Sequence, residues 1–323
     1  MKTALRVVTG ERFVAVGDQE SQPMLAALEQ AGRQAGAEVA ALRIDLLRSY
    51  STNHSGDRPH KVLPDAVRRA MLAAQASVFV ASSPHTESSM REQLQHIVGA
   101  CSIRHAHMPG ISPLAFTTGL AQSHDHIAEL GRILERKLEV GREITTESPD
   151  GTRLVVHPGG RPWIPRFGKV DPGQSVTFPT GSIFTSPERV TGTFVAASLG
   201  EFFGARAGLL RDTVVFEIED GRAVRVTGKN AQLVRDVEAM LKVAPGSDRV
   251  GLVILGVNGG SEATGDVSVD QHRPGLHLVF GDPQGKLTTA DWTARTSFAA
   301  CQARSTVRID GAIVIDGGKL TLT

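Results

Sequence analysis

The chain has 323 residues, 41% hydrophobic and 21% charged, with a formal net charge of +1. That length accommodates two domains, each with its own core, and the charge balance gives no footing for nucleic acid or an anionic membrane surface. No apolar run approaches a membrane span of about 18 residues. The N-terminus lacks the apolar centre of a signal peptide, and Cys101 and Cys301 suit reduced thiols better than a disulfide framework. A cytoplasmic protein is expected.

Residues 1–140 alternate strand and helix signals. ERFVAVGD is a short apolar run. Ser21 is placed to cap a helix with Met24, Leu25, Leu28 and Ala31 on one face and Gly36 as its stop. EVAALRID reads as a second strand, a helix follows over Leu63 to Ala74, and ASVFVASS is a third strand. Thr86 is placed to cap a helix carrying Met90, Leu94, Ile97 and Val98. SIRHAHMPG reads as a fourth strand, and Ser123 opens a helix with Ile127, Leu130, Leu134 and Leu138 inward. This alternation predicts an α/β domain with a Rossmann- or flavodoxin-like parallel sheet.

Residues 141–323 change character. Short strands separated by Gly, Pro and Asp-Gly follow one another: around Pro149-Asp150-Gly151, in TVVFEIEDGRAVRVTG, in RVGLVILGV, in HLVFGD and in STVRIDGAIVIDGG. One helix interrupts them, capped by Asn230, with Leu233, Val234, Val237 and Leu241 as its apolar face. An α+β, β-rich second domain is expected. WTARTSFAACQARSTVRIDG has the outline of a strand pair joined through Asp310-Gly311, a hairpin dipeptide.

Neither G-x-G-x-x-G nor a P-loop is present, which disfavours a nucleotide site. Spacing of two places His105 and His107 on one face of a strand, compatible with metal ligation but more often a packed pair. His124 and His126 fall in a first helical turn, where exposure is expected. His85 follows a strand and precedes the Thr86 cap, at the edge where α/β sheets gather ligand-binding residues. A neutral imidazole there can act as acid, base or hydrogen-bond donor.

SSPHTESSMREQLQHIVGACSIRHAHMPGIS resembles the N-terminal domain of the aminopeptidase T family of metallo-aminopeptidases, a group that includes the iron-dependent 2,5-dihydroxypyridine dioxygenases. The matching features are Pro84-His85-Thr86 and Met108-Pro109-Gly110. The resemblance continues through SPDGTRLVV, FPTGSIFTSPERVTGTFV, GLHLVFG and STVRIDG. It implies metal ligands at set positions, and these are mostly missing. A Gly-Glu of the family falls on Gly181-Ser182 and a second on Gly251-Leu252. The His-x-x-x-Gly is kept as His277 to Gly281, and the final His-x-Asp falls on Ser297, Phe298 and Ala299. His277 alone cannot hold a catalytic ion, since zinc enzymes normally use about three protein ligands. Rescue with zinc or iron would require unrelated residues such as His272, Asp270 or Asp282.

The expected function is therefore that of a metal-free, non-catalytic homologue. It would hold a peptide or small precursor in the interdomain cleft that the resemblance implies, as an accessory to a biosynthetic partner enzyme. His85, Thr86, His277, Arg295 and Ser297 are the expected ligand-binding residues, with His85 the first choice for any catalytic role. Ser182, Leu252, Ser297 and Ala299 are degenerate metal positions. The alternative is an enzyme with altered chemistry: His85 and His277 as acid and base with Arg295 or Arg304 on an anionic group, or a metallo-aminopeptidase or dioxygenase with rearranged ligands. Cys301 is expected in the core. The relatives imply a homodimer through the second domain, with Phe202, Phe203, Leu209 and Leu210 serving either an interface or the core.

Overall fold

The computed structural model describes residues 3–47, 63–81, 88–200, 203 and 208–322. The chain divides into two compact units, Met1–Thr117 with Gly168–Pro179, and Thr118–Phe167 with Thr180–Thr323. The expected single boundary after residue 140 is thus replaced by an interleaved one. The helix His124–Val140 buries Ile127, Leu134 and Leu138 in the core of the second unit. The short strand Ser175–Thr177 instead extends the sheet of the first.

The first unit is built on a five-stranded parallel sheet. Its order in space is Glu38–Arg43, Arg12–Gly17, Ala76–Val80, Arg104–His107 and Ser175–Thr177. The strand Ala76–Val80 is buried at every residue, as expected where helices cover both faces of a parallel sheet. The helix Gln22–Gln34 buries Met24, Leu25, Leu28 and Gly32. Ser21 does not cap it through its side chain. Its hydroxyl donates to the carbonyl of Val80 at 2.7 Å and accepts from the amide of Asp18 at 2.8 Å, tying the strand ends together. The helix Ser88–Ala100 supplies buried Met90, Leu94 and Val98. Among the described residues, no helix is long and apolar enough to cross a membrane.

The second unit contains two antiparallel sheets. One has eight strands, with Val214–Glu219, Arg189–Ala196, Arg153–His157 and Ile144–Glu147 among its inner members. The other has six, ordered Ser198–Leu199, Ser297–Cys301, Gly275–Gly281, Val250–Gly256, Ser182–Thr185 and Ile164–Arg166. One core joins them: Leu154, Val156, Phe194 and Phe216 from the larger sheet pack with Val253, Leu278, Phe280 and Phe298 from the smaller. Phe216 stacks on Phe280 with centroids 5.1 Å apart, and Phe203 meets Phe298 edge-on at 5.6 Å. Each ring buried in this way contributes roughly 1.5–3 kcal/mol.

Asp220-Gly221 and Asp310-Gly311 both have positive φ, 46° and 77°, then 47° and 82°. These are the values of a two-residue type I′ hairpin. Asn230 caps the helix Ala231–Lys242, accepting from the amide of Leu233 at 3.1 Å. The expected strand joint at Asp310-Gly311 is formed, but the two strands within residues 292–311 do not pair with each other. Ser297–Cys301 lies in the six-stranded sheet and Thr306–Ile309 in the eight-stranded one, while Asp310-Gly311 joins the latter to Ala312–Asp316. Phe203 belongs to the core and Leu210 packs against it, whereas Leu209 is exposed. Phe202 lies outside the described residues.

Candidate functional site

Alternation along each strand of the six-stranded sheet sends successive side chains to opposite faces. One face carries Ile183, Val253, Leu255, Leu276, Leu278 and Phe280 into the shared core. The opposite face carries Ser182, Phe184, Leu252, Ile254, His277, Val279 and Ala299, and Ser297 follows by the same alternation. Every position that the family resemblance marks for a metal ligand therefore lies on this one outer face, within the second unit.

The residues found there do not fit a metal. Leu252 and Ala299 both register opposite Val279, and with Phe184 and Ile254 they form a small apolar layer. Two of the expected chelating positions are thus part of a hydrophobic cluster. Ser297, expected to line a binding floor, is exposed at the strand start. Among the described residues, no group of three or more His, Cys, Asp or Glu side chains is placed to hold a metal ion. Asp270 is committed elsewhere. Its carboxylate accepts from Ser198 Oγ at 2.8 Å, from the amide and hydroxyl of Thr264 at 2.7 and 3.0 Å, and from the amide of Gly265 at 3.0 Å.

Beside the apolar layer the same face carries a buried polar cluster. Ser182, in register with Arg166 on the neighbouring strand, shares a hydrogen bond of 3.0 Å with His272 Nδ1. His272 sits on the turn before the strand Gly275–Gly281. Gly256 lets that turn lie against the sheet, since a Cβ at residue 256 would stand 1.8 Å from the carbonyl oxygen of Arg273. That same carbonyl accepts from His277 Nε2 at 3.0 Å. Because a carbonyl only accepts, Nε2 carries the proton, and Nδ1 is left as a buried bare acceptor with no partner among the described residues.

Both imidazoles are neutral at physiological pH. Burial pushes His272 down to about 3, helped by the positive charge of Arg166 and by His277. Burial likewise brings His277 down to about 4, against the raising effect of its bond to the Arg273 carbonyl. Arg166 lies over the ring of Phe184, its Cζ 4.1 Å from the centroid. Its Nη1 and Nη2 reach Gln271 Oε1 and Gln284 Oε1, each at 3.5 Å. Burial lowers the pKa of its guanidinium. Cys301 is buried, with its thiol pushed well above the ordinary range.

His85 and Thr86, expected at the ligand-binding edge of the first unit, lie outside the described residues. Arg295 and Arg304 are exposed, and a cation beside the buried imidazoles is the half-buried Arg166. Its register opposite Ser182 could be read only from strand pairing, because Ile164–Arg166 is too short to announce itself. His105 and His107 form a buried chain in the first unit. Ser77 Oγ lies 2.7 Å from His105 Nδ1, and His105 Nε2 lies 3.2 Å from His107 Nδ1. His107 stacks on Phe79 at 5.0 Å, and burial lowers the pair to about 3 and about 4. Of the pair expected on the surface, His126 is exposed, but His124 is buried at the helix start.

A parallel α/β unit interleaved along the chain with a two-sheet antiparallel unit is an architecture shared with solved structures. It is similar to a solved 2,5-dihydroxypyridine dioxygenase from Pseudomonas putida KT2440, with a TM-score of 0.62 and 17% identity over 99% of this chain and 94% of that one. It is also similar to wild-type AmpT from Thermus thermophilus, with a TM-score of 0.64 and 16% identity over 99% of this chain and 96% of the other. Residues 3–242 match the family described as NicX: 2,5-dihydroxypyridine 5,6-dioxygenase, and the chain belongs to that family. No curated protein matches it by sequence.

Proposed function

We propose that this chain is a metal-independent, non-catalytic member of the family. In this reading it holds a peptide or small precursor on the outer face of its six-stranded sheet, as an accessory to a biosynthetic enzyme. The observation that carries the reading is the apolar layer of Phe184, Leu252, Ile254, Val279 and Ala299 where the resemblance expects chelating side chains. Loss of function by drift alone does not account for such a layer, because random substitution on a sheet face is mostly destabilising. A face with an apolar half and a polar half also has the make-up of small-ligand sites, which combine hydrophobic walls with a few placed polar groups.

The alternative is metal-independent acid–base catalysis by His85 and His277. A general base works best with a pKa near the working pH, and burial holds His277 down at about 4, which speaks against it as the base, while His85 lies outside the described residues. The neutral imidazoles of His272 and His277 serve as hydrogen-bond partners within the protein, to Ser182 and to the Arg273 carbonyl. Native mass spectrometry of the full chain against a peptide panel, with thermal shift in parallel, tests the proposal. A retained complex and a raised melting temperature are expected for some members. No complex and no shift across the panel would refute it. The same spectra read whether the chain forms the homodimer implied by its relatives.

A further inference from the structure

We infer that Arg166 makes this sheet face an anion site, and that the ligand it takes carries a carboxylate. This inference rests on the binding reading above and names the chemistry of its ligand. A guanidinium offers five N–H donors in a planar fork. At Arg166 one face of that plane is covered by Phe184, and the fork meets only two neutral amide oxygens at the long limit of a hydrogen bond. Among the described residues no carboxylate lies within 4.0 Å of it.

The contrast with the first unit is direct. Arg104, whose side chain is 12% exposed, holds Glu11 at 2.6 Å. A cation largely withdrawn from water is ordinarily compensated by an opposite charge, and the half-buried Arg166 has none among the described residues. A carboxylate matches the fork in bidentate fashion. Gln284 carries an NH2 as well as a carbonyl, so the amide that now accepts from Arg166 can turn a donor toward the same incoming anion, whereas the NH2 of Gln271 is held by the carbonyl of Ser268 at 3.3 Å. Among the described residues no second cation meets Gln271 and Gln284 alongside Arg166, which suits a monoanion better than a phosphate dianion.

The test compares dipeptides bearing free carboxylates with the same dipeptides as C-terminal amides. Each is titrated calorimetrically into the full-length chain and into Arg166→Gln and Arg166→Lys. The free acids are expected to bind the unaltered chain at least about tenfold more tightly than the amides. The preference should vanish in Arg166→Gln and survive in part in Arg166→Lys, which keeps the charge and loses the fork. Equal binding of acids and amides would overturn the anion inference and leave the binding reading standing, as would an acid preference that persists in Arg166→Gln. Binding of neither set would overturn both. If Arg166→Gln does not fold, the acid-to-amide ratio in the unaltered chain and in Arg166→Lys still decides the question.

Discussion

The two faces of the six-stranded sheet are made of the same strands and obey different rules. The inner face is continuously apolar, and Val253, Leu255, Leu276, Leu278 and Phe280 bury against the eight-stranded sheet. The outer face is divided between an apolar layer around Leu252 and a polar cluster around Ser182, His272 and Arg166. Alternation forces every substitution to declare itself for one face or the other. The inner face is bound by packing. The outer face is where the resemblance expects chelators and where this chain carries leucine, serine and alanine.

Four changes sharpen that difference. Phe280→Ala empties a fully buried ring position on the inner face and should lower unfolding free energy by about 3–5 kcal/mol in a urea titration. A loss below about 1 kcal/mol would mean that the two sheets are not jointly packed. Leu252→Glu places a carboxylate in the outer apolar layer and should destabilise by about 3 kcal/mol. Near-neutral behaviour would show that this position is open to solvent or to a cation.

Acidification should act on the outer face through its imidazoles. His272 and His277 titrate near 3 and 4 when folded and near 6.5 when unfolded, so below pH 6.5 the unfolded chain takes up protons first. Their contribution to stability is therefore complete above pH 6.5 and is lost as the pH falls toward 4, by about 1.4 kcal/mol per pH unit for each group. His277→Gln should flatten the stability profile by one group's share, and an unchanged slope would contradict its neutral burial. The smallest effect is expected for Ser182→Ala, which removes the partner of His272 Nδ1 and should cost about 1 kcal/mol with no change in fold by circular dichroism.

Much of this fold was legible in the sequence because it rests on local signals. The periodic apolar residues Met90, Leu94 and Val98, the Asn230 cap and the two Asp-Gly hairpins are each set by a few neighbouring residues. What depends on long-range pairing was not legible. Ser21 resembles a helix cap, but its hydroxyl is taken by Val80 on another strand. Ser175–Thr177 is too short to signal that it completes the parallel sheet. The site divides in the same way. His277, Ser182 and Leu252 could be placed by motif and proved to share a face. Arg166 could not, because its meaning comes from standing opposite Ser182 and over Phe184. Arg295 was the cation suggested by sequence proximity, and it is exposed.

In the proposed reading, the positions that the resemblance marks for metal ligands form the floor of a binding face. Elemental analysis of the full chain, purified without chelator and measured by inductively coupled plasma mass spectrometry, tests it most directly. The account predicts zinc, iron and manganese each far below one ion per chain. A stoichiometric ion that remains through dialysis would contradict it.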